Sequence, residues 1–228
     1  MLIGRHPHHF HSTEDIMAYL THSTTAGTYQ DYPINNGRHG TLATYPDLLK
    51  KILGVMTHMT TSHNKVLFVR MDLHYPHSTE AQQGTIGNEA LSKFLKLFKE
   101  HYTYNKIEMH YIWVREQSPY SLPHYHCVFL LNGNKIQNTY GLMERANLLW
   151  HKIVGGSGGL VHYCHSHTPN GIMIRRPSST ATGDTLAGQQ VRYQETFSRC
   201  FEWASYLAKA NQKQHTPSGV RRFGVSMF

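Results

Sequence analysis

Acidic residues are scarce: 14 Asp and Glu stand against 22 Lys and Arg, leaving a formal net charge of +8. That balance points to an acidic partner, and nucleic acid is the commonest for a soluble basic protein, although charge does not distinguish DNA from RNA. Cysteine is nearly absent too. The three present, Cys127, Cys164 and Cys200, stand singly, so neither a disulfide framework nor a cysteine zinc site is indicated, and a reducing cytosol fits. The opening Met-Leu-Ile-Gly-Arg-His-Pro lacks the apolar centre of a signal peptide, and no stretch approaches the ~18 apolar residues of a membrane span. A soluble, cytoplasmic protein with no membrane partner is the expectation. No Gly-x-x-x-x-Gly-Lys loop occurs, so no nucleotide-driven motor is indicated. No repeat at a fixed period divides the 228 residues, which leaves one domain with additions.

What the chain does have is a run of aromatic, β-branched and other apolar residues, Pro-His-Tyr-His-Cys-Val-Phe-Leu-Leu at 123–131, closed by Asn132-Gly133-Asn134. It reads as a buried strand followed by a turn. Strand alternation puts His124 and His126 on one face, roughly 7 Å apart along the chain. The strand-like run from Ile107 to Glu116 precedes it, joined through turn residues around Tyr120. A hairpin centred there sets Glu116 opposite His124 on the same face, with Cβ atoms about 5 Å apart, and a slip of one residue on each strand, pairing Glu116 with His126, preserves this. Two imidazoles and a carboxylate can hold one divalent ion and leave positions for water or substrate, a set that suits Mn²⁺ or Mg²⁺ with a phosphate oxygen.

Residues 1–43 are polar and rich in His, Gly and Thr and read as a loosely packed arm; a solvated cluster accounts for His6, His8, His9 and His11 better than a metal site does. Residues 44–228 then form the main domain. Pro46 opens a helix with apolar positions Leu49, Ile52, Leu53, Met56 and Met59. Lys65 to Leu73 reads as a central strand, with Arg70 and Asp72 on one face, available to substrate. A helix from Asn88 exposes Lys93, Lys96 and Lys99, which are candidates for phosphate contact and are equally explained as a solvated face. Tyr140 to Ile153 is helical. Leu160 to Cys164 and Gly171 to Arg175 are short strands that can pair with each other. His162, Cys164, His165 and His167 invite a metal reading that strand alternation disfavours, since it sends His165 to the other face. Pro177 to Gly188 reads as a loop, and Gln189 to Asn211 as the last helix. Its stripe is Phe197, Cys200, Phe201, Ala204, Leu207 and Ala208, with Tyr206 and Lys209 on the other side.

A helix-borne tyrosine alone is an unremarkable rim residue in a chain with 14 of them. Beside a metal triad, a tyrosine with a lysine at i+3 supplies the parts of a phosphodiester-cleaving nucleophile. His124-Tyr-His126 on a strand with Tyr206-Leu-Ala-Lys209 on a later helix resembles the HUH endonuclease superfamily, which includes rolling-circle replication initiators, relaxases and related transposases. The layout, including the closing Gly219-Val-Arg-Arg-Phe-Gly-Val-Ser226, resembles the inovirus and prophage replication proteins of the YagK/YfjJ type over residues 44–226.

That resemblance implies an α+β fold with a central antiparallel sheet of about five strands, flanking helices, and the tyrosine helix laid across the metal face. It also implies a reaction. Tyr206 attacks single-stranded DNA, at an origin that can include a hairpin, and forms a 5′-phosphotyrosine with a free 3′-hydroxyl. Lys209 assists, Glu116, His124 and His126 hold the metal, and Arg70, Lys93, Lys96, Lys99, Arg221 and Arg222 are the DNA-contact candidates. A host helicase and polymerase would be its partners. Val128 stands where a histidine-triad hydrolase needs its third histidine, and no His-Glu-x-x-His pair supports a zinc hydrolase. The rival reading is an origin-binding or regulatory module with the same fold and no nicking activity.

Overall fold

The computed structural model describes residues 22–76, 87–119, 121–156, 159–164 and 171–227. A small hairpin, β1 (Thr28–Tyr29) and β2 (Tyr32–Pro33), leads into α1 (Pro46–Ser62), β3 (Lys65–His74), α2 (Glu89–Tyr104), β4 (Met109–Glu116) and β5 (His124–Asn132). Then come α3 (Tyr140–Val154), β6 (Val161–Tyr163), β7 (Ile172–Arg175), α4 (Gly183–Ser205), a 3-10 turn (Tyr206–Ala208) and β8 (Phe223–Val225). Six strands form one antiparallel sheet in the order β6-β3-β5-β4-β8, with β7 also on β3. β7 pairs with the first half of β3 (Ile172 opposite Phe68) and β6 with the second half (Tyr163 opposite Met71), rather than with each other. The sheet is therefore five positions wide, in the α+β architecture expected.

Both faces of β3 and β5 are covered, which is why these strands read as near-continuous apolar runs. Leu67, Val69, Tyr125, Cys127 and Phe129 pack beneath α2 and α3. Val66, Phe68, Val128 and Leu130 pack beneath α1 and α4 on the other face. Full burial of one such side chain contributes ~1.5–3 kcal/mol, so the central strands anchor everything attached to them. Along the α1/α4 face the pattern then changes: by alternation Arg70, Asp72, His74, His124 and His126 continue it toward the end of α4. At the opposite end of β5, a Cβ added to Gly133 would meet the Lys65 carbonyl at 3.0 Å, so the turn needs glycine for close approach.

Three expectations change. Described residues before 44 are not a loose arm: the Tyr32 ring lies 5.4 Å from both Phe197 and Phe201, Ile34 is buried, and Thr24 bridges Thr44. Those aromatic and apolar side chains supply the burial that the polar composition hid. Residues 1–21, with the His6 to His11 cluster, lie outside the described residues, as do Tyr120, His165 and His167. Second, α4 begins at Gly183, inside the expected loop. Most of its first turns are solvent-exposed, so no apolar period marks them. Third, α4 ends at Ser205, because the backbone beyond it pairs elsewhere: Tyr45 N–H donates to Ala208 O (2.9 Å) and Ala210 N–H to Ala43 O (2.7 Å). Among the described residues no helix is long and apolar enough to cross a membrane.

Candidate functional site

The β4–β5 hairpin has the register that sets Glu116 directly opposite His124. Glu116 Oε2 lies 3.2 Å from His126 Nε2 and 3.8 Å from His124 Nε2, and the imidazole rings stand 4.9 Å apart and perpendicular. One ligand atom from each of the three residues falls within 4.8 Å of the others. The donor set fits a divalent ion. Burial, helped by the neighbouring His126, lowers the His124 pKa to about 4, so this imidazole is neutral and its lone pair available. Burial would raise the Glu116 carboxyl, but the His126 hydrogen bond and the Lys213 charge outweigh it and hold the group well below the usual carboxylate range.

β3 brings two further groups through its own pairing with β5. Asp72 lies opposite His126, with Oδ1 2.7 Å from His126 Nδ1. His74 lies opposite His124, and their rings stack at 5.3 Å and 4°. Burial alone would lower the His126 pKa; the Asp72 and Glu116 carboxylates against its two ring nitrogens reverse this, and the net direction is upward. A carboxylate on one ring nitrogen orients the imidazole so that the other nitrogen faces the site, the arrangement typical of metal-binding histidines.

The tyrosine arrives on the 3-10 turn that follows α4. Its ring stands edge-on to His126 at 5.3 Å, the Arg70 guanidinium lies 4.3 Å over it, and its hydroxyl is hydrogen-bonded to Lys209 Nζ. Lys209 Nζ is also 3.2 Å from Glu116 Oε2, which joins the Tyr206 hydroxyl to the Glu116, His124 and His126 group through one ammonium. Tyr206 and Lys209 sit on the 3-10 turn and its end rather than on a continuing helix. The Ala43–Tyr45 backbone pins this turn, as does the Asn35 N–H, which donates to Ser205 Oγ at 2.7 Å.

Lys213, two residues past the end expected for the last helix, is a central member of the site. Its Nζ lies 2.9 Å from Glu116 Oε1 and donates to Lys209 O at 2.6 Å, while the residue is 1% exposed. Burial pushes its pKa down to about 8 despite Glu116. Gln212 just before it adopts φ 63, a left-handed conformation that costs a non-glycine residue ~1 kcal/mol and turns Lys213 inward. Asp72 and Arg70 were legible as a pair on one strand face, but their partners His126 and Tyr206 were not.

The remaining DNA-contact candidates separate. Arg221 and Arg222 lie where β8 joins β4: Arg222 O accepts from Arg115 N (2.8 Å), next to Glu116, and Arg221 O accepts from Asn88 Nδ2 (2.9 Å). Lys93, Lys96 and Lys99 belong to α2, whose buried side covers the face without the histidines. Asn88 precedes α2 as expected, yet its side chain makes no cap; Oδ1 accepts from Arg115 and the Tyr125 hydroxyl instead. Among the described residues two other groups have metal-ligand spacing: Asp72, His162 and Cys164, brought together because β6 pairs with β3, and His58, Glu108 and His110.

A family described as the YagK/YfjJ C-terminal domain matches residues 24–226. That span starts where Thr24 pairs with Thr44, so it includes the hairpin that supports the tyrosine turn. The chain is 24% identical over 225 residues to a protein described as Uncharacterized protein YfjJ from Escherichia coli (strain K12), covering 86% of this chain and 98% of that protein. With nearly all of its described residues inside the family's span, the chain belongs to the YagK/YfjJ C-terminal domain family.

Proposed function

We propose that this protein is a metal-dependent, single-tyrosine endonuclease and strand transferase of the HUH type, acting on single-stranded DNA to initiate rolling-circle replication. One observation carries the reading: the Tyr206 hydroxyl is tied through Lys209 to the carboxylate that also faces His124 and His126. His124 Nε2, His126 Nε2 and a Glu116 oxygen would hold Mn²⁺ or Mg²⁺, which when bound polarises a phosphate oxygen and neutralises charge on it. Tyr206 Oη, losing its proton, forms a bond to phosphorus while the bond from phosphorus to the DNA 3′-oxygen breaks, and that oxygen takes up a proton. The product is a 5′-phosphotyrosine and a free 3′-hydroxyl, and attack by a later 3′-hydroxyl reverses the step and rejoins the strand. Lys209 donates to the phenolate oxygen as charge develops. Arg70, stacked on the tyrosine ring, holds it edge-on to His126 and adds positive charge where a phosphate would sit. Asp72 holds the His126 ring through Nδ1.

The test is incubation of labelled single-stranded oligonucleotides with the protein and Mn²⁺, followed by a denaturing gel. Wild type yields a covalent adduct; Tyr206→Phe, which removes only the nucleophilic oxygen, binds DNA and yields none. An adduct from the Phe variant would move the nucleophile elsewhere. Tyr193 is no substitute, since its hydroxyl is taken up by Thr60 Oγ1 at 3.4 Å and its ring packs at 5.9 Å from Phe197. A second reading, a DNA-binding origin or regulatory module without nicking activity, draws on the partners Glu116 already has in Lys209, Lys213 and His126. It stands if wild type forms no adduct with any divalent ion.

A further inference from the structure

Where α1 finishes and β4 begins, three imidazoles converge on one carboxylate. Glu108 Oε1 lies 3.4 Å from His58 Nε2 and 3.2 Å from His110 Nε2, and Oε2 lies 2.9 Å from His63 Nε2. His58, Glu108 and His110 each offer an atom within 4.8 Å of the others. The place is separate from the tyrosine site: Glu108 and Glu116 bracket the length of β4, about 26 Å at a strand's rise per residue.

The arrangement is more than one ion pair requires. A single carboxylate needs one imidazolium, and three protonated histidines beside it would repel one another. His110 is also held from behind: its Nδ1 is hydrogen-bonded to Ser226 Oγ at 3.0 Å, and Ser226 Oγ in turn accepts from Tyr111 N–H at 2.9 Å. This fixes the ring with Nε2 toward Glu108, the outer hydrogen bond that metal-binding histidines usually have. Tetrahedral zinc, with bonds of about 2.0–2.1 Å to nitrogen and oxygen, spaces neighbouring ligand atoms about 3.3 Å apart. The His58 and His110 nitrogens stand at that spacing from Glu108 Oε1. Imidazole-rich donor sets favour zinc and the later first-row metals over Mg²⁺.

We propose that His58, Glu108 and His110 form a zinc-class cation site, with its fourth position left to water, that staples the end of α1 to the start of β4. It is independent of the tyrosine site and of the nicking reaction. α1 carries core residues beneath which Ile112 and Val114 of β4 lie, so an ion joining the two elements ties the helix layer to the sheet at a solvent-facing edge.

The test titrates the full chain with Zn²⁺, counts bound metal by mass spectrometry after gel filtration, and repeats the titration with Co²⁺ as a spectroscopic probe. Relative to wild type, His58→Ala/His110→Ala loses one equivalent of zinc and the intense visible Co²⁺ band of a tetrahedral site. His124→Ala/His126→Ala keeps the tetrahedral Co²⁺ band and the zinc equivalent that the first variant loses. At a hundredfold excess over Kd, zinc raises the thermal midpoint of the latter protein by roughly 5–10 °C, and adding His58→Ala/His110→Ala to it abolishes that rise. The N-terminal histidines contribute equally to all of these proteins and cancel in the difference. Should circular dichroism show the double alanine variant unfolded, Glu108→Gln takes its place and weakens zinc binding at least tenfold. Wild-type stoichiometry in His58→Ala/His110→Ala, or wild-type affinity in Glu108→Gln, overturns the site.

Discussion

Removing Glu116 uncovers two lysines that face it from one side. In the metal-free protein at pH 7, Glu116→Ala deletes a carboxylate that is 0% exposed and lies 2.9 Å from Lys213 Nζ and 3.2 Å from Lys209 Nζ. Breaking a buried pair by removing one partner ordinarily costs ~3–5 kcal/mol. Here Lys213 limits its own share. Burial has already lowered it to about 8, so a further shift of about one unit, ~1 kcal/mol, is enough for it to release its proton. The lost His126 hydrogen bond adds ~1 kcal/mol and the space left by the side chain ~1–2 kcal/mol. The expected loss is about 3–4 kcal/mol by urea unfolding with chelator present. It shrinks by ~1 kcal/mol at pH 9, where Lys213 is already largely neutral. Adding Lys213→Met to the alanine variant recovers at least about 2 kcal/mol, because it removes a buried amine that must deprotonate on folding. A single-variant loss below about 1 kcal/mol, or a double variant no more stable than the single, would refute the account of Glu116 as the group that keeps both ammoniums folded inward.

Asp72→Asn keeps the size of the side chain but removes the charge on His126 Nδ1; Mn²⁺ affinity measured by calorimetry should fall 10–100-fold with the fold intact, and an unchanged affinity would release Asp72 from its orienting role. Arg221→Ala/Arg222→Ala should flatten the slope of log affinity for single-stranded DNA against log salt by about two units, whereas Lys93→Ala/Lys96→Ala/Lys99→Ala, on the opposite layer, should leave adduct formation on a short oligonucleotide unchanged. Burial raises the Tyr102 pKa to about 12 from the usual value of about 10, so the folded state holds the proton more tightly. The stability it contributes is complete below pH 10 and is lost as pH rises toward 12. Tyr102→Phe should make unfolding less sensitive to pH across that window, and an identical alkaline profile would count against the shift.

The sequence by itself determined the groups that depend on neighbours in the chain. Strand alternation places His124 and His126 together, and turn residues a few positions earlier fix a hairpin in which Glu116 faces His124. The α1 and α2 stripes, the strand at β3 and the strand–helix–strand–strand–helix order follow from local periodicity of the same kind. What spacing cannot encode is which distant segments meet. Asp72 reaches His126 only because β3 pairs with β5 in one register, and a slip of one residue would turn Asp72 to the other face. An amphipathic stripe shows that α2 packs, not which side of the sheet it covers, so the direction of Lys93, Lys96 and Lys99 was open. The end of α4 was decided by competition, since backbone groups beyond Ser205 pair with Ala43–Tyr45 instead of continuing the helix, although Leu207 and Ala208 keep its apolar period. Lys213 enters the site through the left-handed turn at Gln212, and Glu108 meets His58, His63 and His110 where helix and sheet edges cross. Apart from the chain neighbours Glu108 and His110, these are long-range contacts made between side chains whose own surroundings in the chain are ordinary, and only the packing of layers brings them to one place.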